Sequence, residues 1–278
     1  MNACLSFVPT QGPVVLSDEV IVQAIVTQWP QLPVNTGWAS SPQASDSSAV
    51  FLSIAGVEIA IMSQPHAIPW NELQRPASTS TYWPNAVQEL QLHDGHIMVA
   101  ARGPEADRLS VMCLLTHVLW AILRTTPQAL GVYNGHAHQV VNRANYLDTA
   151  ELLPNDLPIM LWVNVRAAPQ EPGWQFYTLG MESIGHRDIE CEFTNEDPNH
   201  YYMKLLGLCE QIIRGNSVFK HGDTLNDPNG GDITNVLFGP SSYGLEGTVM
   251  QLHNVIQAKL SGRSDITNMN RVMSPSQP

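Results

Sequence analysis

Between Glu182 and Asp197 the sequence places six carboxylates, Glu182, Asp188, Glu190, Glu192, Glu196 and Asp197, against Arg187 alone, a net of −5 over sixteen residues. Side chains alternate faces along a strand. If RDIECEF (187–193) is extended, Ile189, Cys191 and Phe193 turn toward a core and Asp188, Glu190 and Glu192 share the opposite face. Such a stripe concentrates negative potential and can grip lysines and arginines of another polypeptide. The same pattern also describes a solvated strand face that keeps a sheet edge from aggregating. A carboxylate metal site is a third reading, weakened because no histidine falls on the same alternation.

Ten histidines raise the question of metal or acid-base chemistry. The nearest groupings are His93 with His96 and His136 with His138; the second pair would share a face in an extended segment. Neither has a carboxylate or cysteine at ligand spacing. His117 falls in a helical stretch and is expected on its solvated side. In HGDT (221–224), His221, Asp223 and Thr224 have residue types suited to acid-base or nucleophilic work, but glycine and aspartate also make a plain turn. GPSS (239–242) lacks the GxSxG elbow that exposes a nucleophile, and DPNGGD (227–232) lacks calcium-loop spacing. Cys4, Cys113, Cys191 and Cys209 are scattered, without the CxxC pairs of a zinc site, and are expected as free thiols. No GxGxxG or GxxxxGK[ST] turn is present to cradle a phosphate. No cofactor is therefore expected.

The chain has 278 residues, 44% of them hydrophobic and 14% charged, which fits one large or two small globular domains. Its formal charge is −12. Residues 1–139 carry 4 basic and 9 acidic groups (−5) and the rest 9 and 16 (−7), so neither half hides a basic domain. A field of that sign repels phosphate backbones and suits a basic protein partner. No basic, apolar leader opens the chain and no window of eighteen uninterrupted apolar residues occurs, so a cytoplasmic, membrane-free protein is expected.

These groups must be held by elements that the pattern predicts. ACLSFVP (3–9) reads as a strand. Ser17 as N-cap, followed by Asp18 and Glu19, opens a helix through Trp29 that Pro30 ends. AVFLSIAGVEIAIMSQ (49–64) reads as a hairpin turning at Ala55-Gly56. Trp83-Pro84 starts a short helix to Leu92, GHIMVAAR (95–102) is a buried strand, and a long amphipathic helix runs over about 104–124. ALGVYN, LPIMLWVNVRA, WQFYTLGM and RDIECEF follow as strands, then a helix over 198–214 and a strand at TVMQLHNV. The expected class is α+β: two sheet-plus-helix subdomains, 1–168 and 169–261, with mostly antiparallel strands and helices packed on the sheet faces. Residues 262–278 offer little to bury and are expected to form a flexible tail.

The run AIPWNELQRPASTSTYWPNAVQELQLHDGHIMVAARG (67–103) resembles the bacterial domain-of-unknown-function family 4261. ALGVYN, LPIMLWVNVRA, FYTLGMESIGHRDIE and FKHGDTL are similar to its later segments. Trp70, Trp83, Pro84, His93, His96, Gly180, Gly222, Asp223 and Thr224 match its pattern, while Leu225 and Asn226 stand where the family often has Ile-Gly. The family pattern carries no catalytic set. What the resemblance implies is a standalone cytoplasmic protein; some relatives are encoded near secretion-system toxins, including those of type VI systems, which suggests an immunity role. A nuclease toxin has a basic substrate groove that an acidic binder can occupy. The expectation is thus a non-enzymatic immunity protein that covers a basic cognate toxin through Asp188, Glu190, Glu192, Glu196 and Asp197. A metal-dependent hydrolase using His136, His138 and Asp223, and a secretion-system adaptor, are the alternatives.

Overall fold

The computed structural model describes residues 4–36, 49–103, 107–171, 173–225, 234–245 and 247–254. The expected tail and the DPNGGD run lie outside them. Two mostly antiparallel sheets with helices make the class α+β, as expected. The chain divides into two compact units. The first comprises residues 1–164, 179–186 and 206–214, and the second 165–178, 187–205 and 215–278.

The first unit is built on a seven-stranded sheet of β1 (Cys4–Thr10), β2 (Val34–Thr36), β3 (Ala49–Ile54), β4 (Val57–Gln64), β5 (Gly95–Arg102), β6 (Gly131–Asn134) and β7 (Gln139–Asn142), in the order β2-β3-β4-β5-β1-β6-β7. All its pairings are antiparallel. Strict alternation specifies the buried face. Leu52, Ile59, Ala101 and Cys4 lie opposite one another across four strands and are buried, as are Val50, Ile61, Val99 and Ser6 two residues along. Each such isoleucine or leucine removed from water contributes ~1.5–3 kcal/mol. A one-residue slip would turn the whole set outward. The β3–β4 turn falls at Ala55 and Gly56, with φ of 49° and 84°, the paired left-handed conformations of a tight hairpin.

Helix α4 (Arg108–Thr125) lies against β1, β4 and β5, and α1 (Asp18–Gln28) packs on α4. Ser17 caps α1 by accepting the Val20 N–H, and Asp107 caps α4 by accepting that of Ser110. By length and composition α4 could cross a membrane, but it is a core helix here, with 67% of that window buried. Two shorter helices, α2 (Trp70–Ser78) and α3 (Ala86–Leu90), build a satellite cluster of Ile68, Leu73, Trp83, Leu90, Tyr133 and Val140.

After α5 (Arg143–Ala150), LPIMLWVNVRA corrects its expected strand. Ile159–Trp162 forms α6, a single helical turn after Pro158, and only then does β8 (Asn164–Gln170) begin. The run was apolar enough for either state, and length alone did not separate them. Residue 168 lies inside β8. Gly180, with φ of 110°, follows; a Cβ there would fall 2.3 Å from the Trp162 carbonyl oxygen, so glycine is required.

The second unit's sheet has the order β11-β12-β13-β10-β9-β8, adding β9 (Gly173–Leu179), β10 (Ile189–Thr194), β11 (Thr224–Leu225), β12 (Thr234–Pro240) and β13 (Thr248–Asn254). β10 is antiparallel to β9 and parallel to β13. Helix α7 (Pro198–Ile213) follows β10 and sets the Tyr201 ring 4.8 Å from Phe176.

Candidate functional site

The acidic strand β10 is present, but alternation is only half obeyed. Ile189 and Cys191 are buried as expected. Burial pushes the Cys191 thiol up, with hydrogen bonds to the Tyr201 side chain and the Phe193 backbone opposing. Such a protonated thiol is inert as a nucleophile. Phe193 is only partly buried because the pairing with β9 shifts register between Cys191 and Thr194, and Thr194 takes the buried place.

The largest departure is Glu190. Expected on an exposed stripe, it is 0% exposed. The loop 241–245 accounts for it: the Ser241 hydroxyl donates to Glu190 Oε1, and the Ser242 N–H donates to Oε2 at 3.0 Å. Ser241 Oγ accepts the N–H groups of Tyr243 and Leu245, each at 3.0 Å. Tyr243 stacks on Tyr177, the direct partner of Glu190 across β9, at 5.0 Å between centroids, and donates its hydroxyl to Gln175 at 3.1 Å. Burial, then Glu190 and Glu192, push the Tyr243 hydroxyl up to about 12, so it stays protonated at neutral pH. Ser241 is thus committed on every side: its proton goes to a carboxylate and its lone pairs take backbone N–H groups. It locks a loop and is not a poised nucleophile. A buried carboxylate needs such donors, because an unpaired one would cost several kcal/mol.

The other four acids expected as contacts sit differently. Asp188 is half-buried and accepts the Thr178 hydroxyl at 2.8 Å, and the same hydroxyl accepts the Ile189 N–H. Glu192, 34% exposed, holds an oxygen 3.9 Å from His253 Nδ1. Glu196, 37% exposed, pairs with Lys204 at 3.0 Å and faces His200 at 3.8 Å. Asp197 is exposed and caps α7, accepting the N–H groups of Asn199 and His200 at 3.0 Å each. The stripe therefore resolves into one internal anchor, Glu190, one half-buried brace, Asp188, and a rim of Glu192, Glu196 and Asp197 that can meet cations from outside.

The histidine candidates and Asp223 sit against backbone groups and in turns. His136 Nε2 accepts the Leu5 N–H at 3.2 Å, and His138 occupies the β6–β7 turn with φ of 45°. His221 Nδ1 accepts the Phe238 N–H at 3.0 Å, while Asp223 closes its own turn by accepting the Lys220 N–H at 2.7 Å. Among the described residues no group of three His, Cys, Asp or Glu side chains is placed to hold a metal. His117 is a further correction. It is 4% exposed, its ring meets Trp29 edge-on at 4.2 Å, and burial pulls its pKa down to about 4. The signal was available: residues 111–123 are apolar nearly all round the helix, which leaves no solvated side.

No curated protein and no solved structure matches the chain. The resemblance segments at 67–103, 129–134 and 157–167 lie outside the stretch that a family model matches, whereas FKHGDTL and nearly all of FYTLGMESIGHRDIE lie within it. It is over residues 177–252, from β9 to β13 and including Glu190 and its serine lock, that the chain matches the model described as domain of unknown function (DUF4261).

Proposed function

We propose that this chain is a non-enzymatic binding protein that neutralises a cognate toxin, a basic cytoplasmic nuclease effector, by covering about 800 Å² of its surface. The observation that carries the reading is the acidic balance, −12 over the chain and −5 within 182–197, combined with the resemblance to a family some of whose members are encoded near secretion-system toxins. Burial of Glu190 narrows the contact set. Glu192, Glu196 and Asp197 meet toxin lysines and arginines, and Glu190 keeps the strand and loop behind them in place. Rim charges of this kind act mainly on the rate of encounter.

The test is a binding titration and stopped-flow association against the toxin encoded beside this chain, at two salt concentrations. Reversing the rim in the triple variant Glu192→Lys, Glu196→Lys, Asp197→Lys is expected to slow association at least ~tenfold at low salt and to flatten its salt dependence. An unchanged association rate rules out the acidic rim as the contact. Failure of the unaltered chain to bind, or survival of toxin-exposed cells without it, rules out the immunity role.

A further inference from the structure

In the first unit, two histidines flanking Asp94 and Gly95 hold one loop by its backbone. His93 Nε2 accepts the Ile68 N–H at 2.8 Å, and His93 Nδ1 contacts the Leu90 carbonyl oxygen. His96 Nδ1 lies 2.8 Å from the His66 carbonyl oxygen. A carbonyl only accepts, and a backbone N–H only donates. His93 must therefore be neutral, with its proton on Nδ1, whereas His96 donates through Nδ1 in either charge state. The two grips respond oppositely to acid: a proton on His93 Nε2 abolishes the Ile68 bond, and a proton on His96 leaves its bond intact.

We propose that His93 and His96 form a clasp on residues 65–69 that acid opens at its His93 half. Ile68 is buried in the cluster of Leu73, Trp83, Leu90 and Tyr133, so its N–H has no water to turn to when the acceptor is lost. The segment then lifts and uncovers the apolar face of α2 and α3. The titratable and charged groups on the surrounding elements are His66 on the loop, Asp94 and His96 at β5, Glu72 and Arg75 on α2, Glu89 on α3 and Tyr133 on β6. Two of the carboxylates are already engaged: Glu89 accepts the Trp83 indole N–H at 2.9 Å, and Asp94 accepts the Gly12 N–H at 2.7 Å. His66 and His96 rings lie 5.6 Å apart, and a positive charge on either adds to the opening.

Amide hydrogen exchange of the full chain, corrected for the intrinsic effect of pH, tests the clasp. Protection at Ile68 is expected to fall ~tenfold or more between pH 7.5 and pH 5. His93→Gln places a carboxamide oxygen where Nε2 accepts and cannot titrate, so protection in that variant stays flat. His66→Ala retains the fall. Constant protection in the unaltered chain, the same fall in His93→Gln, or loss of the fall in His66→Ala overturns the proposal. Should His93→Gln not fold, imidazole nitrogen shifts of the unaltered chain decide: a proton on Nδ1 at pH 7.5 supports the clasp, and one on Nε2 overturns it.

Discussion

Glu190 on β10 and His117 on α4 are both ionisable, both buried, and both at positions where the pattern pointed to solvent. Their surroundings differ. Each oxygen of Glu190 is met by a donor from loop 241–245. Neither nitrogen of His117 makes a well-formed hydrogen bond among the described residues; the Cys113 carbonyl one turn back favours the charged form less than burial opposes it. The carboxyl group is tied at both oxygens to loop 241–245, and the imidazole is held neutral by its burial. A buried group can thus be a tether or a filler, and the two answer differently to substitution and to pH.

Removing the tether should have the largest effect. Glu190→Ala is expected to cost about 3 kcal/mol or more, seen as a lowered midpoint in urea unfolding followed by circular dichroism, because it strands the Ser241 and Ser242 donors and leaves a void. Glu190→Gln keeps one acceptor and the shape, and should cost about 1–2 kcal/mol. If the alanine variant is as stable as the original chain, the serine lock is not a tether.

The filler predicts a pH slope. With its pKa at about 4 in the fold against 6.5 for an ordinary histidine, His117 takes up its proton first in the unfolded chain. Stability is then unaffected above about pH 6.5 and declines as pH falls toward 4, by up to about 3 kcal/mol in total. Unfolding midpoints measured across that range, with His117→Leu as control, check it: the variant should lose this part of the slope.

Smaller effects sharpen the contrast between the tether and the rim. Asp197→Ala removes a helix cap and should cost about 1 kcal/mol in the same urea assay. Glu196→Ala, which removes an exposed pair with Lys204, should cost at most ~0.5 kcal/mol. In the opposite direction, Ala55→Asn should stabilise by ~0.5–1 kcal/mol, since asparagine tolerates the positive φ that alanine resists.

Local signals were legible where one residue type has one job. Ser17 as cap, Ala55-Gly56 as turn and the period-two isoleucines of β4 all stood in the sequence, because capping and alternation are set within a few residues. Glu190 was not legible. Its burial depends on Ser241 and Ser242, some fifty residues along the chain, and strand alternation places a side chain on a face without saying what covers that face. His117 differs in its reason: a histidine suggests a polar side, but residues 111–123 of α4 leave none. The satellite cluster around Ile68 was not legible either, because Leu73, Trp83, Leu90, Tyr133 and Val140 come to it from separate stretches of the chain.

The interleaving of the two units along the chain bears on how the molecule can be made. The polypeptide passes between them at 164/165, 178/179, 186/187, 205/206 and 214/215, so no stop codon or protease cut releases either unit whole. During synthesis the first unit lacks a part until residue 214 has left the ribosome, and the central β10–β13 pairing of the second waits for the strand that ends at Asn254. Domain-by-domain folding from the N-terminus does not map onto units interleaved in this way, and expression trials aimed at a minimal fragment should keep the sequence continuous through β13.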